Sequence, residues 1–487
     1  MESIKSHRCF FIRSLRIIVL LEICLVFTSM NGQRIVISEP MDLKGETISI
    51  PHSYKLVFKK DGRILNGTIV GDYTTVIGQR KVIFQNVKLE GSFAAKEAYS
   101  DWFDIKADCI LDSTKKYVLG TDNYQNFKNL FLFPIIEIKS GIYMISGMLN
   151  CISNQKVNGN GAIIKCLNQG VSINIDSSRD KPIEHVEINN LHLIGQKLEY
   201  STPTQWWHGV NIAFASDVRI ENVLSEFFRG DGFYIGTNIG VKEAGRIPNN
   251  VIISNCKSYN NYRQGLSITR VNGAKIIDSE FSYTSGQSPE AGIDIEVNMV
   301  KTKEGKTIVG ECKNIEIRGC LFRNNKRHGF IISNAYYSTI SINNINNVKM
   351  YDCKFEDDDI SIMGCDNCKL ENLEITDGHI NISGGSIIRN LTLSSIRMVE
   401  NQPSSNKDAI SLNYKPDWPG RNDILIDDVY IKGYGGRAIY VGYDRRFHEK
   451  IFNNVSITNC VIEECGSGIL LLRNSINGLV EKNNIIR

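Results

Sequence analysis

The chain lacks a charge of one sign: 56 Lys and Arg stand against 53 Asp and Glu, leaving a net charge of +3. That balance excludes the broad basic footprint of a nucleic-acid binder, although a polyanion can still be held locally. Proline is scarce, at 10 residues beside 40 Gly, and with 42% apolar and 22% charged residues the composition is that of a folded protein. Long hydrophobic runs are missing after Phe27. The one apolar run, Ile17 to Phe27, is too short for an ordinary membrane span. Lys5, His7, Arg8, Arg13 and Arg16 precede it, and Thr28, Ser29, Asn31 and Gly32 follow. Basic, apolar and small segments in that order predict a secretory signal peptide over 1–32, export of the remainder, and no membrane span once it is removed. Cys365 and Cys368 have metal-like spacing, but no second such pair completes a zinc site.

What the chain has in abundance is repetition. A small residue, usually Gly, precedes an apolar/any/apolar triplet in HGVNI at 208, DGFYI at 231, QGLSI at 264, AGIDI at 291 and HGFII at 328. Between these phrases lie Asn-led alternations that often end in Cys, such as NNVIISNC from 249, CKNIEIRGC from 312 and NNVSITNC from 453. Period-2 alternation rich in Val, Ile, Asn and Gly selects strands, and a recurring unit that cannot bury its apolar face alone implies a solenoid. Stacked coils of short strands make a parallel β-helix, with Asn at tight turns because it tolerates the left-handed region. Exported proteins meet an oxidising compartment, yet Cys256, Cys320, Cys353 and Cys460 hold one repeat position. That placement predicts an interior stack of mostly reduced thiols among the eleven cysteines after residue 32. The chain stops at NNIIR without a polar cap sequence, so association through that last coil is expected to be open to it.

Three further stretches organise the front of the chain. GETISI, YKLVFKKDG and RILNGTIVG read as strands joined by turns, YSDWFDIKAD and the interval to Asn129 as a cap or short helices, and NGNGAIIKC as renewed strand structure. The expected organisation is a signal peptide at 1–32, a β-rich leader at 33–98, a cap and first coil at 99–170, and β-helix repeats at 171–487.

EIKSGIYMISGMLNCISNQKVNGNGAIIK at 137 to 165 resembles the opening segment of the pectate-lyase-like superfamily of right-handed parallel β-helix proteins, found in exported bacterial polysaccharide-active enzymes and phage tailspikes. FKKDGRILNGTIVGDYTTV and YSDWFD resemble the leader of some of its members, while the usual acidic capping stretch is degraded here to ADCILDSTKKYVLGTDNYQNF. The resemblance implies an all-β, right-handed, single-stranded parallel β-helix. It does not fix the reaction, because that scaffold carries lyases, hydrolases, epimerases and noncatalytic binders. The N-T-D, D-D, G-H-G and R-I-K series of polygalacturonases is missing, and so is a clear acidic cluster of the calcium-dependent lyases; calcium stays open as a cofactor.

Strand alternation locates candidates. In AGIDIE, Ile293 and Ile295 face inward, so Asp294 and Glu296 point outward about 6.6 Å apart. Aligned coils place Asn211, Tyr234, Ser267, Asp294 and Ile331 in one outward row, and His208, Asp231, Gln264 and His328 in a second row where the strands begin. Trp207, Arg263 and Arg327 lie just before that second row. Hydrolysis of a glycan needs two carboxyl groups, which Asp294, Glu296 and Asp231 supply. β-Elimination on a uronate needs a cation, a base and an acid, which Arg263, Arg327, His208, His328 and Tyr234 supply. Trp207 is a stacking surface for sugar. Each has a plainer reading: a solvated strand face or a structural cation site for Asp294 and Glu296, turn chemistry for Asp231, a ladder of turn residues for His208 and His328, ion pairs for the arginines, loop packing for Trp207. The expected activity is cleavage of a glycan, read as uronic-acid-containing, by β-elimination or hydrolysis; noncatalytic carbohydrate binding or adhesion, and uronate epimerisation, are the alternatives.

Overall fold

The computed structural model describes residues 33–487 apart from 177–181, 201, 203, 237–246, 302–306, 335–343, 385–387, 402–405, 415–422, 444–451 and 472–475. The expected signal peptide at 1–32 lies outside the described residues. The chain divides into two compact units, Met1–Lys106 with Gln125–Lys139, and Ala107–Tyr124 with Ser140–Arg487.

In the first unit the leader is itself built of parallel strands: Arg34–Ile37 pairs with Lys55–Phe58, that strand with Arg63–Ile77, and Arg63–Ile77 with Phe84–Ala94. An aromatic cluster packs against them, with Phe84 stacked on Phe103 at 5.3 Å and Trp102 edge-on to Phe133 at 5.9 Å. Trp102 lies in the short 3-10 turn Ser100–Phe103, and a seven-residue helix, Tyr124–Leu130, follows in the interval where the sequence loses its strand pattern.

In the second unit each coil gives one strand to a 12-stranded sheet that runs in chain order from Leu149–Asn150 to Ser467–Leu471. Every neighbouring pair in it is parallel. The remainder of each coil forms two further faces, as with Asn249–Ser254 and Lys257–Tyr259, which pair with Val271–Ile277 and Glu280–Ser282 of the next coil. The faces meet at left-handed residues five positions apart: Asn250, Asn255 and Asn260 have φ of 52°, 51° and 52°, and Asn347, Asp352 and Asp357 have 56°, 57° and 54°. Asn and Asp enter that region at low cost, which explains why they dominate the corners.

Close approach of backbones explains the glycine of the repeated phrase. A Cβ on Gly209 would sit 2.6 Å from the carbonyl oxygen of Gly232, one on Gly265 2.5 Å from that of Gly292, and one on Gly292 2.5 Å from that of Gly329. These glycines form a column in which any side chain would strike the next coil.

The interior is a set of ladders. Ile212, Ile235, Ile268, Ile295 and Ile332 are register partners on successive strands and all are fully buried. Phe281, Phe322 and Phe355 form a second ladder with ring centroids 5.9 and 4.5 Å apart. The eleven described cysteines are all free, and only Cys465 is not fully buried. The thiols of Cys256, Cys320, Cys353 and Cys460 each donate to the carbonyl two residues earlier, at 3.2 to 3.4 Å across a corner. Ser279 makes the same bond at 2.8 Å, whereas Leu373, Ile396 and Val429 fill the equivalent place on later coils, so the position takes a buried side chain with or without a donor. On the final coil Val480, Ile485 and Ile486 are exposed by 47%, 46% and 57%.

Candidate active site

Backbone register brings the outward row together as the alternation predicts: Asn211 pairs with Tyr234, Tyr234 with Ser267, Ser267 with Asp294, and Asp294 with Ile331. The second row contains Gln264, Ala291 and His328 as direct partners, with Asp231 and His208 on the preceding coils.

Outward does not mean exposed, and here the structure corrects the expectation of an open groove. Asp231 is 0% and Asp294 1% exposed. Arg263 lies among the acidic groups. Its Nη1 lies 3.5 Å from Asp231 Oδ2 and its Nη2 3.8 Å from Glu296 Oε2, and both it and Glu296 keep partly exposed side chains. Beneath it, Asp231 Oδ1 accepts the backbone N–H of Gln264 at 3.1 Å, and Asp294 Oδ2 accepts Nε2 of Gln264 at 2.9 Å. His208 Nδ1 accepts the backbone N–H of Asp231 at 3.1 Å and lies 3.2 Å from Asp231 Oδ2. The His208 ring stacks on Tyr234 at 4.7 Å, and the Tyr234 hydroxyl is 2.8 Å from that of Thr269.

Several polar atoms of this cluster are left over. Asp294 Oδ1, Gln264 Oε1 and Arg263 Nε are buried without a hydrogen-bond partner among the described residues, while Asp231 Oδ2 has the ion-pair contacts of His208 and Arg263. Buried polar atoms are normally satisfied by protein or by ordered water, which makes these atoms the polar lining of the cluster.

Electrostatics separates the carboxyl groups. Burial opposes ionisation of Asp231, but His208 and Arg263, joined by the Ser267 hydroxyl, outweigh it and hold this carboxyl below its ordinary range. Burial, then Glu296, pushes Asp294 up to about 7 against the pull of Gln264 and Arg263. Glu296 is also raised by burial, with Arg263 opposing. Near neutral pH the cluster therefore pairs an ionised Asp231 with an Asp294 that still carries a proton for part of its population.

Three expected members stand apart. Trp207 presents a ring face to the Arg229 guanidinium at 4.1 Å and an edge contact to Tyr200 at 5.9 Å, so that face is not free to stack on sugar. Trp206 is the exposed ring, at 61%. Arg327 is tied to Glu290 at 3.0 Å, a carboxylate it shares with Lys326 at 2.9 Å. His328 lies beyond Ala291, where Asp359 and Arg327 are its charged neighbours and burial lowers its pKa. Gln264 and Glu290 were the residues that charge and alternation did not single out. Gln264 carries no charge, and Glu290 precedes the phrase where its neighbours carry Arg263 and Arg327. No group of three or more His, Cys, Asp or Glu among the described residues is arranged to hold a metal ion.

Known proteins reproduce the scaffold. The family model for a right-handed β-helix region matches residues 184–344. No curated protein matches the chain in sequence. Among solved structures, the mannuronan C-5 epimerase A-module of Azotobacter vinelandii is similar with a TM-score of 0.55 at 12% identity, over 76% of this chain and 97% of that one. The catalytic domain of a GH87 α-1,3-glucanase in complex with tetrasaccharides gives 0.54 at 13% identity, over 75% of this chain and 68% of that one. The Agl-KA catalytic domain gives 0.50 at 15%, over 80% and 68%. Likeness at these identities speaks for the fold, and with the parallel register and the corner pattern it shows that the chain is a right-handed parallel β-helix protein.

Proposed function

We propose that the protein is a polysaccharide-active enzyme that hydrolyses a glycan at the Asp231–Asp294 cluster. The observation that supports this reading is the pair of buried carboxyl groups, Asp231 held by His208 and Arg263 and Asp294 with one unpartnered oxygen, whose surroundings drive their protonation in opposite directions. Glycoside hydrolysis asks for that division of labour: one protonated group for the leaving oxygen, one ionised group to attack the anomeric carbon or activate water. Asp294 is the general acid and Asp231 the carboxylate partner. Arg263, held by contacts of 3.5 and 3.8 Å, is the side chain a sugar displaces to reach them. Trp206, exposed ahead of the site, is a sugar-stacking surface.

A second reading, elimination or epimerisation on a uronate, draws on the 3.2 Å approach of His208 to Asp231, which orients an imidazole base beside a guanidinium. The two are separated by product. Incubation with neutral and uronic polysaccharides yields new reducing ends without unsaturated ends if hydrolysis operates, unsaturated ends if elimination does, and an inverted uronate without either if epimerisation does. Binding with no product of any kind identifies a noncatalytic carbohydrate-binding protein and refutes the enzyme reading. Asp294→Asn abolishes hydrolysis in this scheme, and full activity of that variant rejects the site. Export belongs to the same reading, a polymer-degrading enzyme being of use where its polymer lies; no described helix is long and apolar enough to cross a membrane.

A further inference from the structure

Gln264 begins the strand between the two carboxyl groups and is bonded to both. Its backbone N–H meets Asp231 Oδ1 at 3.1 Å and its side-chain Nε2 meets Asp294 Oδ2 at 2.9 Å. The register explains the reach. Gln264 pairs with Ala291, whose wholly buried methyl group leaves the space that the Gln264 side chain crosses toward Asp294, three residues further along that strand. Gln264 is itself 0% exposed, and its Oε1 is one of the unpartnered atoms.

We propose that Gln264 is the positioning residue of the site: it clamps the two carboxyl groups in one geometry and supports the charge that forms on Asp294 when that group gives up its proton. The catalytic part of this inference rests on the hydrolytic reading above, while the clamp itself does not. With Nε2 committed to Oδ2, the bare Oδ1 is the oxygen from which a proton is delivered. A donor aimed at a carboxylate favours its ionised form, and the Gln264 amide and Arg263 act in that direction on Asp294. Glu296 from the same strand and Asp231 from an earlier coil act against it. The Cys312 thiol is a further titratable neighbour, kept protonated by burial.

The clamp is tested on the whole protein with Gln264→Met, which keeps the length of the side chain and removes the donor, and with Gln264→Glu, which keeps its shape. The Asp294 carboxyl is followed by carbon NMR in the substrate-free protein, its signal assigned by its loss in Asp294→Asn. The expected result for Gln264→Met is a titration midpoint moved to higher pH. On a cleaved glycan, the loss of a hydrogen bond to a charged group predicts a kcat lower by roughly tenfold to a hundredfold with KM nearly unchanged, and an alkaline limb moved the same way. Gln264→Glu regains activity toward low pH, where its protonated carboxyl again donates. An unmoved or lowered midpoint overturns the clamp, and a loss confined to KM overturns its catalytic part. A raised midpoint in a protein that cleaves no glycan leaves the clamp standing and removes the hydrolytic reading instead.

Discussion

Replacing Asp294 by Asn is expected to stabilise the protein in a pH-dependent way. Asp294 is 1% exposed and its carboxyl is pushed up to about 7, whereas in the unfolded chain it titrates near its model value of 3.8. Between those values the folded state binds a proton that the unfolded chain has released, so stability falls as pH rises from about 4 to about 7 and stays low above that. Three pH units at about 1.36 kcal/mol each set an upper figure of roughly 4 kcal/mol for the loss. Asn cannot ionise, and its carbonyl oxygen can still accept the Gln264 amide. The buried Asp358, whose carboxyl is pushed up to about 8, titrates in both proteins and cancels in the comparison, whereas Glu296 and Asp231, which oppose ionisation of Asp294, lose that repulsion in the variant and act in the same direction. Urea unfolding of wild type and Asp294→Asn at about pH 5 and about pH 8 gives the difference of differences. The variant is expected to be more stable by about 2 to 4 kcal/mol at the higher pH and by much less at the lower. A gap that does not widen with pH would refute the buried, raised carboxyl and the acid role built on it.

Other outcomes follow from the scaffold. Asn347 at φ 56° marks a corner, so Asn347→Ala costs about 1 kcal/mol in chemical denaturation while Asn347→Gly costs less. Burial pushes the thiols of Cys151, Cys166 and Cys256 up to about 12, and a thiol-specific reagent should titrate only Cys465 in the native protein but all eleven in denaturant. If the protein is secreted by an expressing cell, mass spectrometry of the secreted chain should find its N-terminus close after residue 32; a secreted chain that retains Ile17 to Phe27 contradicts a cleaved signal.

The sequence made the register legible and the depth illegible. Each repeated phrase marks the same backbone position, so lining up HGVNI, DGFYI, QGLSI and AGIDI put Tyr234, Ser267 and Asp294 in one row, where pairing places them. Alternation reports which face a side chain leaves from, not what then covers it. Asp294 leaves from the outward face and is nevertheless 1% exposed, and Trp207 is engaged by Arg229 from the following coil. Such contacts depend on side-chain length and direction between coils, for which no spacing rule stands in. Gln264 was visible in the row but silent, because its importance lies in bonds to two different strands rather than in its own chemistry.

The glycine column has a consequence for how this protein can change. Carbonyl oxygens that would lie 2.5 to 2.6 Å from an added Cβ mean that successive coils are spaced by main chain against main chain, with side chains only filling in. Such a stack tolerates whole-unit editing: removal or duplication of one complete turn returns each remaining residue to an equivalent place. Loss of a single residue within a strand instead inverts the alternation and sends an isoleucine ladder to the surface. Variation among proteins built this way should therefore come in quanta of a turn or in the connections between strands, and the outward rows of side chains can be shifted along the axis without rebuilding the core beneath them.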